Sequence, residues 1–579
     1  MTAPAVSVGG TPLTAAQAGL VRAVTVDAAL NLPAVATVEL DDPAGTALAT
    51  VGATIGATLT VACGATTLFT GDVTGLECRY DGAGQVAVVV AYDAAYRLRR
   101  HHATTAYPQQ SYAEILGAVA RAAGVGVGTL DVPGTPLPFR ERVAEDGWSF
   151  VLRLAAEVDR DVVVRDGALC VVARTAASSA PDASALTSAD PRALHVGDGR
   201  LLRLRVAAAG NDQISSTTVR GWDPTTKKEV VATAQAPGTY PGAQPGGAAP
   251  ASTAAKLGTA DVTIPAPGVT TSDLATSLAR SAASRAGSRI AEVEAEVLGT
   301  PELLPGVTFA VGGAGAALNG SYTATEVRHV FDRDTGYRTY VRVGDRPRPA
   351  DQGGPGGGVV PAVVVDNNDS EGGLGRVKVR FDWLDATYVS DWIRVLQPGA
   401  GNASGFQVVP EVGDEVLVGF AGGVPRVPYV LGALFNGVDL PKDGWPTVVA
   451  DGKVVRRAFT SRTGHRLTFV DEDGDKGTVT IATGDASTSI ELSQGQKGVT
   501  VTSTHDVSVT SKGKVTVAAD GDVAVTSKQA VSVTATGGLT LKGATVKVEA
   551  TGALELKGTN VTVNGTAAVK VAGGVVQLN

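Results

Sequence analysis

The chain has 579 residues, of which 44% are hydrophobic, 5% aromatic and 18% charged, and its formal net charge is -8. This length exceeds that of one typical domain, and the hydrophobic content is typical of a protein with well-formed cores rather than of a disordered one. The acidic balance argues against a general affinity for nucleic acid or anionic membranes, and no apolar run approaches the roughly 18 residues of a transmembrane helix.

Glycine, threonine and valine are abundant, which indicates β structure with many turns. The N-terminus has no basic segment followed by an apolar core, so no Sec-type signal is visible. The three cysteines, Cys63, Cys78 and Cys170, are too few and too scattered for a disulfide framework or a zinc site. We therefore expect them to be buried free thiols.

Residues 1–345 are predicted to be strand-rich with helical insertions. Short β-type runs separated by turn residues reach to about Tyr96. Apolar residues share one face over Ser111–Ala123, which predicts a helix. A second helix is predicted over Trp148–Val158, with Asp146 as its cap.

The later part of this region contains a predicted loop, a helix and closing strands. Residues 235–253 (AQAPGTYPGAQPGGAAPAS) are rich in proline and glycine and are predicted to form an exposed loop. SDLATSLARSAASRAGSRIAEVEAEV predicts a helix that runs into a strand, and NGSYTATEVRHVFDRDTGYRTYVRVGD predicts barrel-like closing strands. Residues 346–358 (RPRPADQGGPGGG) are the clearest linker.

Three segments follow the linker. Residues 359–440 are predicted to form a compact strand-rich module, 441–478 a connecting neck, and 479–579 a repeat array. In the array a Val-polar-Val triplet recurs every eight residues, and after Leu539 the spacing alternates between seven and eight. Residues i and i+2 of a strand share a face. The predicted core of the array is therefore Val507, Val509, Val515, Val517, Val523, Val525, Val531, Val533, Leu539, Leu541, Val561 and Val563.

A three-residue strand followed by a short corner cannot enclose a core within one chain, because single-chain solenoids use roughly 20 or more residues per coil. Three chains side by side supply about that number. We therefore predict a trimeric, intertwined β-helix with valines along its axis. A monomeric solenoid and a low-complexity tail are the alternatives, and the many β-branched residues disfavour the tail.

The module after the linker resembles the OB-fold of VgrG-like spike proteins of contractile injection systems. It contains GRVKVRFDWLD, SDWIRVLQPGAGNASGFQVVPEVGDEVLVGF and GGVPRVPYVLGALFNG. The preceding region is similar to the hub of the same family through LFTGDV, EDGWSFVLRLAAEV and VRGWDPTTKKEV, and TSRTGHRLTFVDEDGDKGTVTI resembles the entry into its needle. The residues that carry the OB resemblance include Trp392, Arg394, Pro398, Gly399, Phe406, Pro410, Gly413, Asp414, Pro425 and Pro428.

The resemblance implies a mainly β homotrimer with a hub of two β-barrel-like domains, an OB-fold collar and a β-helical needle. Such a protein adapts a sixfold inner tube to a threefold, membrane-puncturing tip. The implied partners are an inner-tube protein, baseplate proteins, cargo effectors and a PAAR-like tip protein, which would cover Val576 and Leu578. Assembly is expected in the bacterial cytoplasm, within an injection particle that is either extracellular or intracellular.

The phrase RGWDPTTK and the closing HVFDRDTGYRTYVRVGDRPR look more like hub-spikes of extracellular or phage-tail-like particles than like type VI secretion spikes. A type VI secretion spike and a phage or tailocin tail spike remain the alternatives. The repeat array ends at VVQLN, so no appended C-terminal effector domain is expected.

Chemical functions find little support in the sequence. An OB-fold can bind single-stranded nucleic acid, but residues 359–440 carry 5 Lys or Arg against 10 Asp or Glu, the wrong sign for a phosphate groove. A cell-wall-degrading spike would need an inserted domain, for which about 40 residues after Asn436 leave no room. DEDGDKG at 471–477 lacks the later ligands of a calcium loop. We expect no catalysis, no cofactor and no metal.

Overall fold

The computed structural model of the chain describes residues 4–82, 84–223, 226, 228–266, 269–344, 358–370, 373–385, 387–421, 427–474 and 476–578. The chain divides into two units, Met1–Thr447 and Val448–Asn579. About 40% of the residues lie in strands and 13% in helices, which confirms the predicted mainly β class. Within the described residues, no helix combines the length and the hydropathy needed to cross a bilayer.

The first part of unit 1 is strand-rich, as predicted. Its elements are β1 (Ala5–Val8), β2 (Thr11–Pro12), α1 (Ala15–Ala18), β3 (Val21–Ala29), β4 (Val35–Asp41), α2 (Ala47–Val51), β5 (Thr58–Cys63), β6 (Thr66–Asp81) and β7 (Gly84–Tyr92).

A helical insertion follows. Its elements are α3 (Ala95–Arg100), β8 (His102–Gln110), α4 (Tyr112–Ala122), β9 (Gly126–Leu130), β10 (Leu137–Asp146), α5 (Gly147–Glu157), β11 (Asp161–Arg165) and β12 (Ala168–Val172). Helices α4 and α5 confirm the two predicted helices, and the Asp146 carboxylate accepts a hydrogen bond from the Ser149 N–H at 2.9 Å, as a cap does. The buried faces of both helices form one apolar core with the neighbouring strands.

The chain then returns to strands. After a 3-10 turn at Ala177–Ser179 come β13 (Ala193–His195), β14 (Leu201–Ala208), β15 (Ser216–Asp223), β16 (Lys228–Gln235), β17 (Ala243–Pro245), α6 (Pro250–Leu257), β18 (Asp261–Pro265), α7 (Ser272–Ser288), β19 (Ala291–Leu298), β20 (Thr308–Gly312), β21 (Gly320–Thr323), β22 (Glu326–Asp332) and β23 (Gly336–Val343). Helix α7 runs into β19, as the sequence predicts.

One eleven-stranded sheet joins the two strand-rich parts, in the order β14-β19-β23-β22-β3-β4-β7-β6-β5-β1-β2. The two parts join at the antiparallel pair of β22 and β3, in which His329 lies opposite Val26. Two apolar cores lie along this sheet, one built mainly from β1 and β3–β7 and the other mainly from β19–β23. The two halves of this region are therefore hydrogen-bonded into a single sheet.

The OB module has its own small core. Its strands are β24 (Val359–Asp366), β25 (Lys378–Arg380), β26 (Arg394–Val395), β27 (Ala400–Gly401), β28 (Ser404–Gly405), β29 (Glu415–Phe420) and β30 (Pro428–Ala433). Five of them form a sheet in the order β25-β24-β29-β30-β26 around buried residues such as Val379, Val416 and Val430. All but residue 358 of the predicted linker lies outside the described residues.

The remaining elements are α8 (Trp445–Val448), β31 (Val449–Ala450), β32 (Lys453–Val454), β33 (Arg456–Thr460), β34 (Arg466–Val470), β35 (Thr478–Ala482), β36 (Thr488–Ser493) and β37 (Gly498–Ser503). Strands β33–β37 form an antiparallel meander. The predicted boundary at 478/479 between neck and needle falls inside β35. The domain boundaries stay predictions.

Two sequence expectations need correction. Residues 235–253 are not a uniformly exposed loop, because Tyr240 and Ala243 are only 2% exposed and pack into the second core. Cys78 is exposed, since it lies in the part of β6 that projects with β7 beyond β5, whereas Cys63 and Cys170 are buried as expected.

Candidate functional site

The repeat array forms an exposed aliphatic ladder over residues 504–578. Every predicted core residue of the array is exposed in the single chain, and the apolar pairs from Val507 to Leu578 range from 49% to 92% exposed. A chain that leaves this regular series of branched side chains in water has an unpartnered apolar surface.

The backbone of the ladder is equally unpartnered within the chain. In the described residues 505–578 there is no backbone-to-backbone hydrogen bond and no assigned strand. Serine hydroxyls organise some corners by accepting an N–H from two residues on: Ser511 from Gly513 and Ser527 from Gln529, each at 3.1 Å. The backbone N–H and carbonyl groups of the triplets are therefore available to pair with strands of other chains.

Val576 and Leu578, the predicted tip contact, are 49% and 92% exposed. They continue the ladder with the same spacing as the pairs before them.

The antiparallel sheet β33–β37 has an apolar face that the sequence interpretation did not separate from the ladder. The cross-strand pairing aligns two rows of side chains on this face. The first row is Arg457, Phe469, Val479, Leu492 and Val499, and the second is Phe459, Leu467, Ile481, Ile490 and Val501. Eight of the nine apolar members are more than a third exposed. Strict alternation in RLTFV, TVTIA and TSIELS is the sequence signal for this face.

The opposite face of this sheet is polar. Its central row is Ala458, Thr468, Thr480, Glu491 and Thr500. The sheet is therefore amphipathic, and the described residues of unit 2 place no second layer on its apolar side.

In the OB module, the PEVGD stretch is a tight turn that leads into β29 and is hydrogen-bonded to β24. The Glu411 N–H donates to the Asp414 carboxylate at 2.9 Å, and Gly413 has a φ of 101°, a conformation that favours glycine. The Gly413 N–H donates to the Val364 carbonyl at 2.8 Å. The carbonyl of the buried Pro410 accepts a hydrogen bond from the Asn367 side-chain amide at 3.1 Å. These family residues therefore have structural roles.

Trp392 and Arg394 take part in cation–π contacts on the surface of the module. The Lys378 ammonium lies 4.8 Å and the Arg376 guanidinium 6.0 Å from the Trp392 ring, and Arg394 lies 5.9 Å from the Tyr429 ring. Arg376 also binds Asp369 and lowers the pKa of that carboxyl to about 2. The cationic side chains of Arg376, Lys378 and Arg394 thus contact aromatic rings, and Arg376 also pairs with a carboxylate.

The loop around the β27–β28 hairpin presents apolar side chains outward. Gly399 accepts the Phe406 N–H at 2.9 Å, and the Gln397 amide bridges to Val408, while the Phe406 ring is 62% exposed. Pro398 is exposed and Pro428 begins β30. Pro425 lies outside the described residues.

Metal-ligating side chains lie apart in the part of the chain that the structure describes. Among the described residues, no three His, Cys, Asp or Glu side chains form a cluster that could hold a metal ion. In the 471–477 stretch, the Arg457 guanidinium binds Asp471 at 2.6 Å and Lys453 binds Asp473 at 3.2 Å. These carboxylates are engaged in ion pairs at the end of a hairpin.

Two family models match the chain. Residues 360–435 match the type VI secretion system/phage-baseplate injector OB domain, and residues 21–332, more than half of the chain, match the Alg8 N-terminal domain. The first match covers the described OB sheet, and the second covers most of the eleven-stranded sheet.

Characterised relatives match over short segments. The chain is 35% identical over 71 residues to the actin cross-linking toxin VgrG1 of Vibrio cholerae serotype O1, which is 12% of this chain and 6% of the toxin. It is 32% identical over 111 residues to the type VI secretion system spike protein VgrG3 of the same species, which is 18% of this chain and 10% of VgrG3. The chain thus spans a tenth or less of the length of these relatives.

A solved structure extends the likeness to most of the fold. A chain of the Francisella PdpA-VgrG complex, in its half-lidded state, has a TM-score of 0.51 and 9% identity over 86% of this chain and 87% of its own length. The likeness of the fold and the two family matches, over residues 360–435 and 21–332, together cover most of the chain. The chain belongs to the family defined by the Alg8 N-terminal domain, and its OB domain and fold are those of a VgrG-like spike protein.

Proposed function

We propose that the chain forms the homotrimeric central spike of a contractile injection system, adapting a sixfold inner tube to a threefold puncturing tip. The observation that carries this proposal is the ladder, whose apolar pairs are exposed and whose backbone makes no backbone-to-backbone hydrogen bond over the described residues 505–578. Three copies wound about one axis would bury the pairs and satisfy the backbone groups together.

In this proposal residues 1–345 form the hub that docks on the tube, 359–440 the collar, and the ladder the needle. With each repeat rising one strand spacing of roughly 4.8 Å, the ladder gives a rod on the order of 50 Å long. Its work is mechanical, and we propose no catalysis, although a relative is named as a toxin. A cell-wall-degrading spike would hydrolyse peptidoglycan, and we expect the purified protein to leave it intact.

The proposed partners are an inner-tube protein, baseplate proteins, cargo effectors and a PAAR-like tip protein at Val576 and Leu578. A Francisella VgrG occurs in a complex with PdpA, which supports a partner-binding role for this fold. We propose assembly in the bacterial cytoplasm and favour an extracellular or phage-tail-like particle over a type VI secretion apparatus, with a phage or tailocin tail spike as a further alternative.

Native mass measurement of the full chain tests the assembly. We expect three times the 58.4 kDa chain mass, and a stable, folded monomer would refute the proposal. Electron microscopy of particles from the native host, with a tag on this chain, tests the setting. Label at the tip of free particles supports the favoured branch, and label confined to envelope-attached intracellular sheaths supports the type VI alternative.

A further inference from the structure

The two-stranded ribbon β8–β10 of the helical insertion lies against the OB module. Its antiparallel pairing places Ala106 opposite Glu141 on one face and Tyr107 opposite Arg140 on the other. Ala106 and Val143 pack against the core of the OB module, although neither belongs to residues 359–440. The insertion and the OB module, both in unit 1, therefore share one apolar contact.

This contact also buries ionisable side chains from both modules. Glu141 of the ribbon is 9% exposed and Tyr388 of the OB core is 7% exposed. Burial, together with the nearby Glu141 carboxylate, raises the pKa of the Tyr388 phenol. Groups of this kind lose water only where the surrounding structure is fixed, so the contact is a permanent part of the fold.

A bulge in β10 lies beside Val143. The pairing with β8 shifts between Arg142 and Glu145, and Ala144 has a φ of 46°, a left-handed conformation that is uncommon for a residue other than glycine. The Ala144 N–H donates to the Thr104 hydroxyl at 3.2 Å. Bulges redirect neighbouring side chains, and a strained residue persists only where its surroundings hold it. The ribbon thus keeps a local distortion next to the residue that contacts the OB core.

The opposite face of the ribbon is fixed to the helices of the insertion. The Tyr107 ring stacks on Phe150 of α5 with the ring centroids 5.8 Å apart. The Arg140 guanidinium pairs with the Glu157 carboxylate at 3.2 Å, and both side chains are largely buried. The ribbon therefore cannot move away from α5 without breaking a stacked ring pair and a buried ion pair.

The insertion is in turn hydrogen-bonded to segments from both halves of the eleven-stranded sheet. Between β3 and β4, the Asn31 side chain donates to Asp161 at 3.0 Å and accepts the Val162 N–H at 2.8 Å. From helix α7, which runs into β19, the Ser281 hydroxyl donates to the Ala156 carbonyl at 2.6 Å. The insertion therefore connects the sheet on one side with the OB module on the other.

We propose that the helical insertion is a rigid coupling that holds the OB collar on the hub sheet, so that an axial load passes through the β8–β10 ribbon as well as along residues 346–358. The direction of this load rests on the spike function proposed above. A single chain crossing between two modules resists their separation but not their compression or tilting, whereas a packed apolar interface resists all three. A spike driven from the hub needs this second connection to move its collar and needle without tilting.

Cleavage of residues 346–358 in the full chain tests the coupling. A recognition site for a sequence-specific protease replaces residues 350–356, and a tag at the N-terminus retains the hub on a resin after cleavage. We expect most of the C-terminal fragment to stay on the resin with the hub, because the ribbon holds its OB module. Prompt release of this fragment from the cleaved wild-type sequence would overturn the proposal.

Matched substitutions locate the contact that retains the fragment. Val143→Asp adds a carboxylate beside Glu141 against the OB core, and Val127→Asp is its control, because Val127 lies in the same insertion and is 41% exposed. We expect the cleaved Val143→Asp protein to release the fragment at least about tenfold faster than the Val127→Asp protein. Val143→Ala, which adds no charge and keeps the insertion folded, should release it at an intermediate rate.

The outcomes separate this proposal from the spike function. Equal retention of the fragment in all three variants, in protein that is trimeric by mass, would overturn the coupling role of the ribbon and leave the spike proposal intact. A monomeric wild-type chain would refute the spike proposal and, with it, the load path. Circular dichroism and a thermal melt of each uncleaved variant confirm that the insertion is folded before the release rates are compared.

Discussion

Replacing Val523 with Asp tests the burial of the ladder. Val523 is 61% exposed in the single chain, and complete burial of a valine is worth roughly 1.5–3 kcal/mol. Loss of that burial removes about 1–2 kcal/mol per chain, or about 3–5 kcal/mol per trimer. Three carboxylates near one axis add a cost of several kcal/mol each while they stay charged and unpaired.

The matched control is Ala524→Asp, which places the same carboxylate on the outward side of the same triplet. We expect Val523→Asp to lose trimers, measured by native mass, and to lower the temperature at which the trimer dissociates, while Ala524→Asp remains close to wild type. Acidification to about pH 4 should partly rescue Val523→Asp, because clustering and burial raise carboxyl pKa values. A Val523→Asp trimer as heat-resistant as wild type, or equal damage in both variants, would refute the reasoning.

Two further predictions concern buried titratable side chains in unit 1. Burial lowers the pKa of His329 to about 4, below its ordinary 6.5. The stability that the neutral imidazole contributes is therefore present above about pH 6.5 and is lost as the pH falls towards 4, by up to about 3 kcal/mol. His329→Gln should flatten this pH dependence of stability in thermal melts. The comparison must be with the variant, since Asp93, whose pKa burial raises to about 6, changes stability in the opposite direction with pH. Arg174→Met leaves the Asp161 carboxylate, only 1% exposed, without its guanidinium and should cost about 3–5 kcal/mol in denaturant unfolding. The same change at Arg192, whose side chain is 32% exposed, should cost less than about 1 kcal/mol. Similar losses at both sites would contradict the argument.

The mainly β class and the helices were predictable because their signals are local. The apolar faces of α4 and α5 and the cap at Asp146 appear in the sequence within a few residues of the structural elements. The eight-residue spacing likewise identified the triplets of the ladder. These features depend on neighbours along the chain, which a single sequence displays directly.

The features that sequence reasoning missed depend on distant or ambiguous pairing. Alternation at Val479 and Ile481 is the same whether a strand pairs within its chain or with another chain, so the boundary of the meander could not be placed from it. Nothing near Val24 or Phe331 indicates that their strands lie side by side. Tyr240 is buried by residues distant in sequence, despite its proline- and glycine-rich surroundings.

The adjacency of β3 and β22 has a consequence for biosynthesis. Asp27 and Arg328, which form an ion pair across these strands, are 301 residues apart. At the usual translation rates of roughly 5–20 residues per second, the ribosome needs about 15–60 s to deliver β22 after β3 has emerged. During that interval β3 has one hydrogen-bonding edge open, so the first half of the eleven-stranded sheet is open to self-association until the second half arrives.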